Sequence, residues 1–144
     1  AQAAGSAAAD GGAQGMDAGA DGSSGAGDDV IDIEAKPEIT YDDFAKLQFQ
    51  VGEIIQCEAV PKSKKLLCSQ VRIGSQTRQI LSGIKAYYSP EEMVGKKVMV
   101  VTNLKPAKLA GMLSEGMILC AEDAEGNLAL MKPEKDMPAG AEIC

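Results

Sequence analysis

Apolar residues in the second part of this chain fall into short runs of alternating parity, the signature of strands with one covered face. Phe49, Val51, Ile55, Cys57 and Ala59 share one parity, with Gly52 as a candidate bulge between them, and Pro61 ends the run. Leu67, Val71 and Ile73 share another; Gly74-Ser75 marks a turn, and Thr77 to Leu81 is a β-rich return strand. Val98-Met99-Val100-Val101 is a continuous apolar run and predicts a central strand, as does Met117 to Ala121. Asp123 to Asn127 reads as a turn before a strand from Leu128 to Met131. Pro133 to Gly140 reads as a loop, and Ala141 to Ile143 as a last short edge.

Two helix starts accompany the strands, one before the first and one between them. Thr40-Tyr41-Asp42-Asp43 has the form of a capping box opening a short helix through about Lys46. Ser89-Pro90-Glu91-Glu92 places Ser at the cap, Pro at the first helical position and Glu at the third, and Gly95 supplies the stop. Short strands, frequent turns and one intervening helix predict an all-β domain, a closed or nearly closed barrel. Strands and helices do not alternate as a nucleotide-binding sheet requires. Residues 39–144 also lack a G-x-G-x-x-G or G-x-x-x-x-G-K-[ST] run.

Composition divides the chain at the same place. Residues 1–38 are Ala, Gly, Ser and Asp with almost no large apolar side chain, too little to offset the entropy of ordering. They read as a disordered acidic linker, with an r.m.s. span of roughly 30–40 Å. The chain starts Ala1-Gln2 with no secretory pattern, and the linker favours a place within a longer protein. No run approaches the ~18 apolar residues of a membrane helix, so no membrane partner is expected. Charge follows the division. The formal charge is −7, yet residues 1–38 alone hold eight acids against Lys36, while residues 39–144 hold 13 bases and 13 acids. The acidic excess belongs to the linker.

Catalytic chemistry is poorly provided for. The sequence has no histidine, so no Ser-His or Cys-His dyad can form. Cys57, Cys68, Cys120 and Cys144 contain no C-x-x-C pair, and the first three read as reduced, mostly strand-borne thiols of a cytosolic protein rather than part of a zinc site. The pairs Glu91-Glu92 and Glu122-Asp123 lie beside cap and turn signals, where solvated carboxylates are ordinary. No catalytic residue, metal or cofactor is assigned to this chain.

Lysines, by contrast, cluster. Lys62, Lys64 and Lys65 occupy PKSKK between two predicted strands. Lys105 and Lys108 occupy NLKPAK after the Val98 strand, which Lys96-Lys97 open. Two lysine loops at a barrel mouth would make an electropositive groove for phosphates; the alternative is ordinary solubilising surface. The five aromatics are too few for a single-strand stacking platform and better suit reading the backbone of folded RNA.

The run ILSGIKAYYSPEEMVGKKVMVVTNLKPAKLAGMLSEGMILCAE, from Ile80, closely resembles the tRNA-binding domain at the C-terminus of bacterial methionyl-tRNA synthetase. Upstream, DDFAKLQFQVGEII and PKSKKLLCSQVRIG resemble that family's opening helix and first two strands, so the likeness covers nearly all of 39–144. The resemblance implies a five-stranded OB-fold barrel with flanking extensions, binding of tRNA with little sequence preference, and homodimerisation. It implies an appended module of a methionine–tRNA ligase whose N-terminal catalytic core, with its ATP and methionine, lies outside this chain. Free-standing tRNA-binding proteins and CsaA-type peptide-binding chaperones share the family and are the alternatives. Carried over by position, Asn103, Lys105 and Lys108 belong to the NLKP motif and its sequel. Ser114 and Met117 belong to S-x-G-M; with Lys62, Lys64 and Lys65 these are the candidate tRNA-binding residues. For Ser114 and Met117 a structural role, a tight turn at Gly116 entering a core strand, is the competing reading, and Ser82-Gly83-Ile84 reads as structural. Many relatives carry HPNADKL where this chain has VPKSKKL, so roles tied to those His, Asn and Asp residues do not transfer.

Overall fold

One long strand must serve two sets of neighbours, and the sheet curls around it. A computed structural model describes residues 30–144. In chain order the elements are α1 (Tyr41–Phe44), β1 (Phe49–Ala59), β2 (Leu67–Ile73), β3 (Gln76–Ser82), α2 (Pro90–Met93), β4 (Lys97–Val101), β5 (Ala107–Leu109), β6 (Met112–Ser114), β7 (Met117–Ile118), β8 (Cys120–Glu122), β9 (Leu128–Leu130) and β10 (Glu142–Ile143). The main sheet runs β3-β2-β1-β4-β7, all antiparallel, with β10 also paired to β1. Along β1, Phe49 to Glu53 pair with β4 and Glu53 to Ala59 pair with β2. The result is a curled half-barrel of OB type with few, short helices, the all-β class read from the sequence. Of the expected linker, residues 1–29 lie outside the described residues; residues 30–38 are exposed and carry neither helix nor strand.

The bend in β1 corrects the expected parity. The register shifts between Ile54 and Gln56, so the bulge falls at Ile55, not Gly52. Gly52 and Ile54 face the core before it, and Cys57 and Ala59 pack on the core after it. The extra residue exchanges the two faces. Ile55 is accordingly exposed, while Val51 is buried on the face opposite Gly52. Gly52 is needed for proximity: a Cβ there would stand 2.5 Å from Val71 Cγ1 and 3.0 Å from Val100 Cγ2.

The core gathers Ile54, Leu67, Val71, Ile80, Val98 and Val100 from four strands. Met93, fully buried, plugs it from α2, and Ile84 and Ile118 complete it. Both capping boxes form as the sequence predicts: Thr40 with Asp43, and Ser89 with Glu92 behind Pro90. Past α2, Gly95 adopts φ 94° and donates its N–H to Ile54 O at 2.7 Å, while Ile54 N–H bonds Lys96 O at 2.9 Å. Helix and bulge thus hold each other.

Two elements differ from the sequence reading. NLKPAK runs into a β5–β6 hairpin whose tip, Ala110 and Gly111, has φ of 51° and 80°, so Lys108 stands on a strand rather than in a loop. Met117 to Ala121 breaks at Leu119 into β7 and β8. Leu119 donates to Met99 O and accepts from Met131 N, at 3.0 and 3.1 Å, and so stitches β4 to the β8–β9 hairpin.

No ladder joins β3 to β7. The segment after β5 closes the gap instead. Glu115 N–H bonds Gln79 O at 2.7 Å, its carboxylate accepts Gln79 N–H at 3.2 Å, and Ser114 Oγ accepts the buried Leu81 N–H at 3.0 Å. Side chains satisfy an edge that would otherwise expose unpaired donors.

Candidate nucleic-acid interface

The PKSKK loop is shaped by its serine. Ser63 Oγ accepts the N–H groups of Lys65 and Leu66 at 3.1 and 3.2 Å, a local turn that leaves Lys62, Lys64 and Lys65 exposed. Lys65 O accepts the Lys85 N–H at 3.1 Å, which brings an exposed lysine that the sequence reading missed beside this loop. Beneath it, a small cluster of Val60, Cys68 and Leu81 packs with Leu66 from the loop and Met112 from the β5–β6 hairpin. The hairpin carrying Lys108 is thereby docked against the base of the lysine loop.

Among the described residues these charges have no ion-pair partner. The ion pairs among the described residues are Lys46–Asp43, Arg72–Glu53 and Lys97–Asp136; none involves Lys62, Lys64, Lys65, Lys85, Lys105 or Lys108. Lys97 is withdrawn from the cluster, donating to Asp136 at 3.0 Å and Met137 O at 2.6 Å, and Lys96 lies 5.9 Å over the Tyr88 ring.

The other candidates divide by what their polar atoms already hold. Asn103 accepts the Gln48 N–H at 2.9 Å and donates to Lys46 O at 2.6 Å, clamping the chain between α1 and β1. Ser114 is buried; its hydroxyl bonds Leu81 N–H and donates to Gly116 O at 3.2 Å. Both side chains brace the fold; Ser114 is buried, whereas Asn103 stays exposed. Gly116 sits at a bend between β6 and β7 with φ 158°, and is tight against Ile80 and Val101 O, each 3.1 Å from a Cβ built there. It permits close approach at the turn that the structural reading expects.

Met117 is outward. Its side chain is 44% exposed and borders a cleft of about 370 Å³ between β3 and the β5–β6 hairpin. Leu104, Leu109 and Met117 give the cleft apolar walls, Lys105 stands at its rim, and Ser82 and Gly83 line it from the end of β3. Ile84, next in the chain, is buried in the core as the structural reading of Ser82-Gly83-Ile84 requires.

Titration elsewhere is structural. Burial raises the Cys57, Cys68 and Cys120 thiols above their ordinary value and keeps them neutral near pH 7. Asp123 is held below the usual carboxylate range by hydrogen bonds from the Asn127 side chain and backbone, with the Glu125 and Gly126 N–H groups assisting. Among the described residues no three His, Cys, Asp or Glu side chains gather as a metal would need, and no helix is long and apolar enough to cross a membrane.

Comparison with known proteins gives a consistent picture. The family model described as "Putative tRNA binding domain" matches residues 49–142. A methionine–tRNA ligase of Methanocaldococcus jannaschii is 56% identical over 106 residues, 74% of this chain and 16% of the ligase. That of Deinococcus radiodurans is 51% identical over 105 residues, 73% of this chain and 15% of the ligase. The chain therefore spans about one sixth of the length of these relatives. Among solved structures, a MetRS related protein from Pyrococcus horikoshii superposes with TM-score 0.72 at 36% identity, over 76% of this chain and all of that one. The chaperone CsaA of Bacillus anthracis superposes at 0.69 with 25% identity, over 75% of this chain and all of that one.

Proposed function

The chain belongs to the tRNA-binding domain family, and from that premise we propose that it holds tRNA by its phosphate backbone as an appended module of a methionine–tRNA ligase. The observation that carries this reading is a set of exposed lysines without ion-pair partners among the described residues: Lys62, Lys64 and Lys65 with Lys85 beside their loop, Lys108 on the hairpin packed against that loop's base, and Lys105 lining the cleft. Charge of this kind binds phosphate and releases counterions. Tethering tRNA beside a catalytic domain raises its local concentration, an avidity gain of roughly 10²–10⁴ without new contacts. On this reading residues 1–38 are the linker, ATP and methionine are handled by another part of the ligase, the module pairs as a homodimer, and the protein works in the cytoplasm. Asn103 and Ser114 position the binding face, and Met117 contacts the RNA.

A second reading has one observation in its favour. The exposed apolar walls Leu104, Leu109 and Met117, on a fold shared with a chaperone, would also suit an unfolded polypeptide. Salt separates the two. Phosphate binding through about four lysines should give a log–log slope of roughly −3 to −4, whereas apolar peptide binding should survive added salt. The test is unfractionated tRNA titrated with the full chain and its Lys105→Ala/Lys108→Ala variant at several salt concentrations. The variant should bind more weakly and lose about 1.5–2 from the slope, with an unchanged melting temperature. Equal affinity at low salt would refute the lysine groove.

A further inference from the structure

Ser82 carries a chemical signal that the lysines do not explain. It lies at the end of β3, opposite Leu67, and is 9% exposed. Among the described residues its Oγ is the one buried side-chain oxygen or nitrogen without a hydrogen-bond partner in the protein. The neighbouring buried hydroxyls differ: Ser69 donates to Cys57 Sγ, Thr102 to Gln48, and Ser114 to Gly116 O. A buried hydroxyl that bonds nothing is destabilising, and alanine would fit the same strand position without that cost. Ser82 also lines the cleft whose apolar walls are Leu104, Leu109 and Met117 and whose rim bears Lys105. Next to it, a Cβ built on Gly83 meets no atom within 4 Å, so this wall is open.

We propose that this cleft receives one unstacked nucleobase of a bound RNA, the Ser82 hydroxyl bonding a polar atom on the base edge and Lys105 meeting the adjoining phosphate. The inference rests on the RNA-binding reading above and adds a base-reading pocket to it. The volume, about 370 Å³, is at the small end of ligand sites, which run from about 300 to 1,000 Å³, and suits one nucleoside rather than a stacked run. Apolar side chains can hold a splayed base on both faces without an aromatic platform. Folded RNAs offer such bases in loops and bulges. The charge at the rim favours a phosphate-bearing guest over an apolar peptide.

The test compares the full chain with Ser82→Ala and with Gly83→Val, which narrows the cleft at its open wall. Each is titrated with unfractionated tRNA at several salt concentrations, alongside a thermal melt. Ser82→Ala should weaken tRNA binding about three- to tenfold, the range of one neutral hydrogen bond, with the salt slope unchanged because no charge is lost. Its melting temperature should hold or rise, which a merely structural serine would not allow. Gly83→Val should weaken binding at least as much. If wild type and both variants bind tRNA equally and with the same salt dependence, the pocket is overturned while the lysine groove stands. If wild type binds no tRNA at low salt, the RNA reading itself fails. If Ser82→Ala abolishes capture of reduced, carboxymethylated lactalbumin and leaves tRNA binding intact, the cleft belongs to polypeptide and the proposal is overturned.

Discussion

Ser114→Ala separates holding the barrel closed from holding RNA. The Ser114 hydroxyl is the acceptor for Leu81 N–H at 3.0 Å and the donor to Gly116 O at 3.2 Å, and both Ser114 and Leu81 are 5% exposed. Removing it leaves a buried N–H on the open edge of β3 without a partner, which costs about 1–3 kcal/mol, and loses a second bond worth about 0.5–1.5 kcal/mol. A total near 2–3 kcal/mol is expected. For a domain of this size each kcal/mol lowers the melting temperature by about 4–8 °C, so a drop of roughly 10–20 °C should appear by circular dichroism. Binding should behave differently. Well below the melting transition, tRNA affinity measured by fluorescence anisotropy should stay within about twofold of wild type, because a 1.4 kcal/mol contact would be a tenfold effect. A melting temperature unchanged within about 2 °C, together with a tenfold loss of affinity, would refute the seam argument and make Ser114 a direct RNA contact.

Three further expectations follow from the core and the turns. Gly52→Ala sets a methyl 2.5 Å from Val71 Cγ1, an overpacking that should cost about 1–3 kcal/mol in urea denaturation; Val71→Ala in the same chain should recover part of it, and strictly additive losses would contradict the contact. Iodoacetamide at neutral pH should label the exposed Cys144 well before Cys57, Cys68 and Cys120, whose thiols burial keeps protonated; equal rates in the native protein, read by mass spectrometry, would oppose this. Asp123, depressed in the folded state, stabilises the β8–β9 turn at pH above its unfolded value of about 3.9, and that contribution is lost as pH falls through its lower folded value. An NMR titration of its carboxyl carbon should show a midpoint below 3.9, and a midpoint at or above it would remove the turn's acid sensitivity.

Much of this architecture was legible because it is local. Both capping boxes, the Gly74-Ser75 hairpin and the lysine run depend on residues a few positions apart, and each forms as the sequence predicts. The bulge was not legible: Ile54 and Ile55 are equally apolar, and only the change of neighbour from β4 to β2 decides which turns inward. The β5–β6 hairpin was hidden because Ala110 at φ 51° gives no composition signal for a left-handed turn. Lys85 joins the lysine loop through a backbone bond to Lys65, and Ser82 is notable for the bond it lacks; neither fact is carried by residue type.

The motif read from sequence as one binding surface has two layers, and the sheet explains why. A half-barrel whose edges β3 and β7 share no ladder needs another segment to satisfy β3, and residues 113–116 do so through Leu113 O, Ser114 Oγ and both backbone and carboxylate of Glu115. Arg78 reinforces the seam by donating to Thr102 O, at the end of β4. Within NLKPAK and SEGM the residues that face this seam or the α1–β1 connection, Asn103 and Ser114, are already hydrogen-bonded to backbone. The others, Lys105, Lys108 and Met117, stay exposed. Stability should therefore track the first set and affinity the second. Ser82, buried yet unbonded, should likewise move affinity without charge and without a loss of stability.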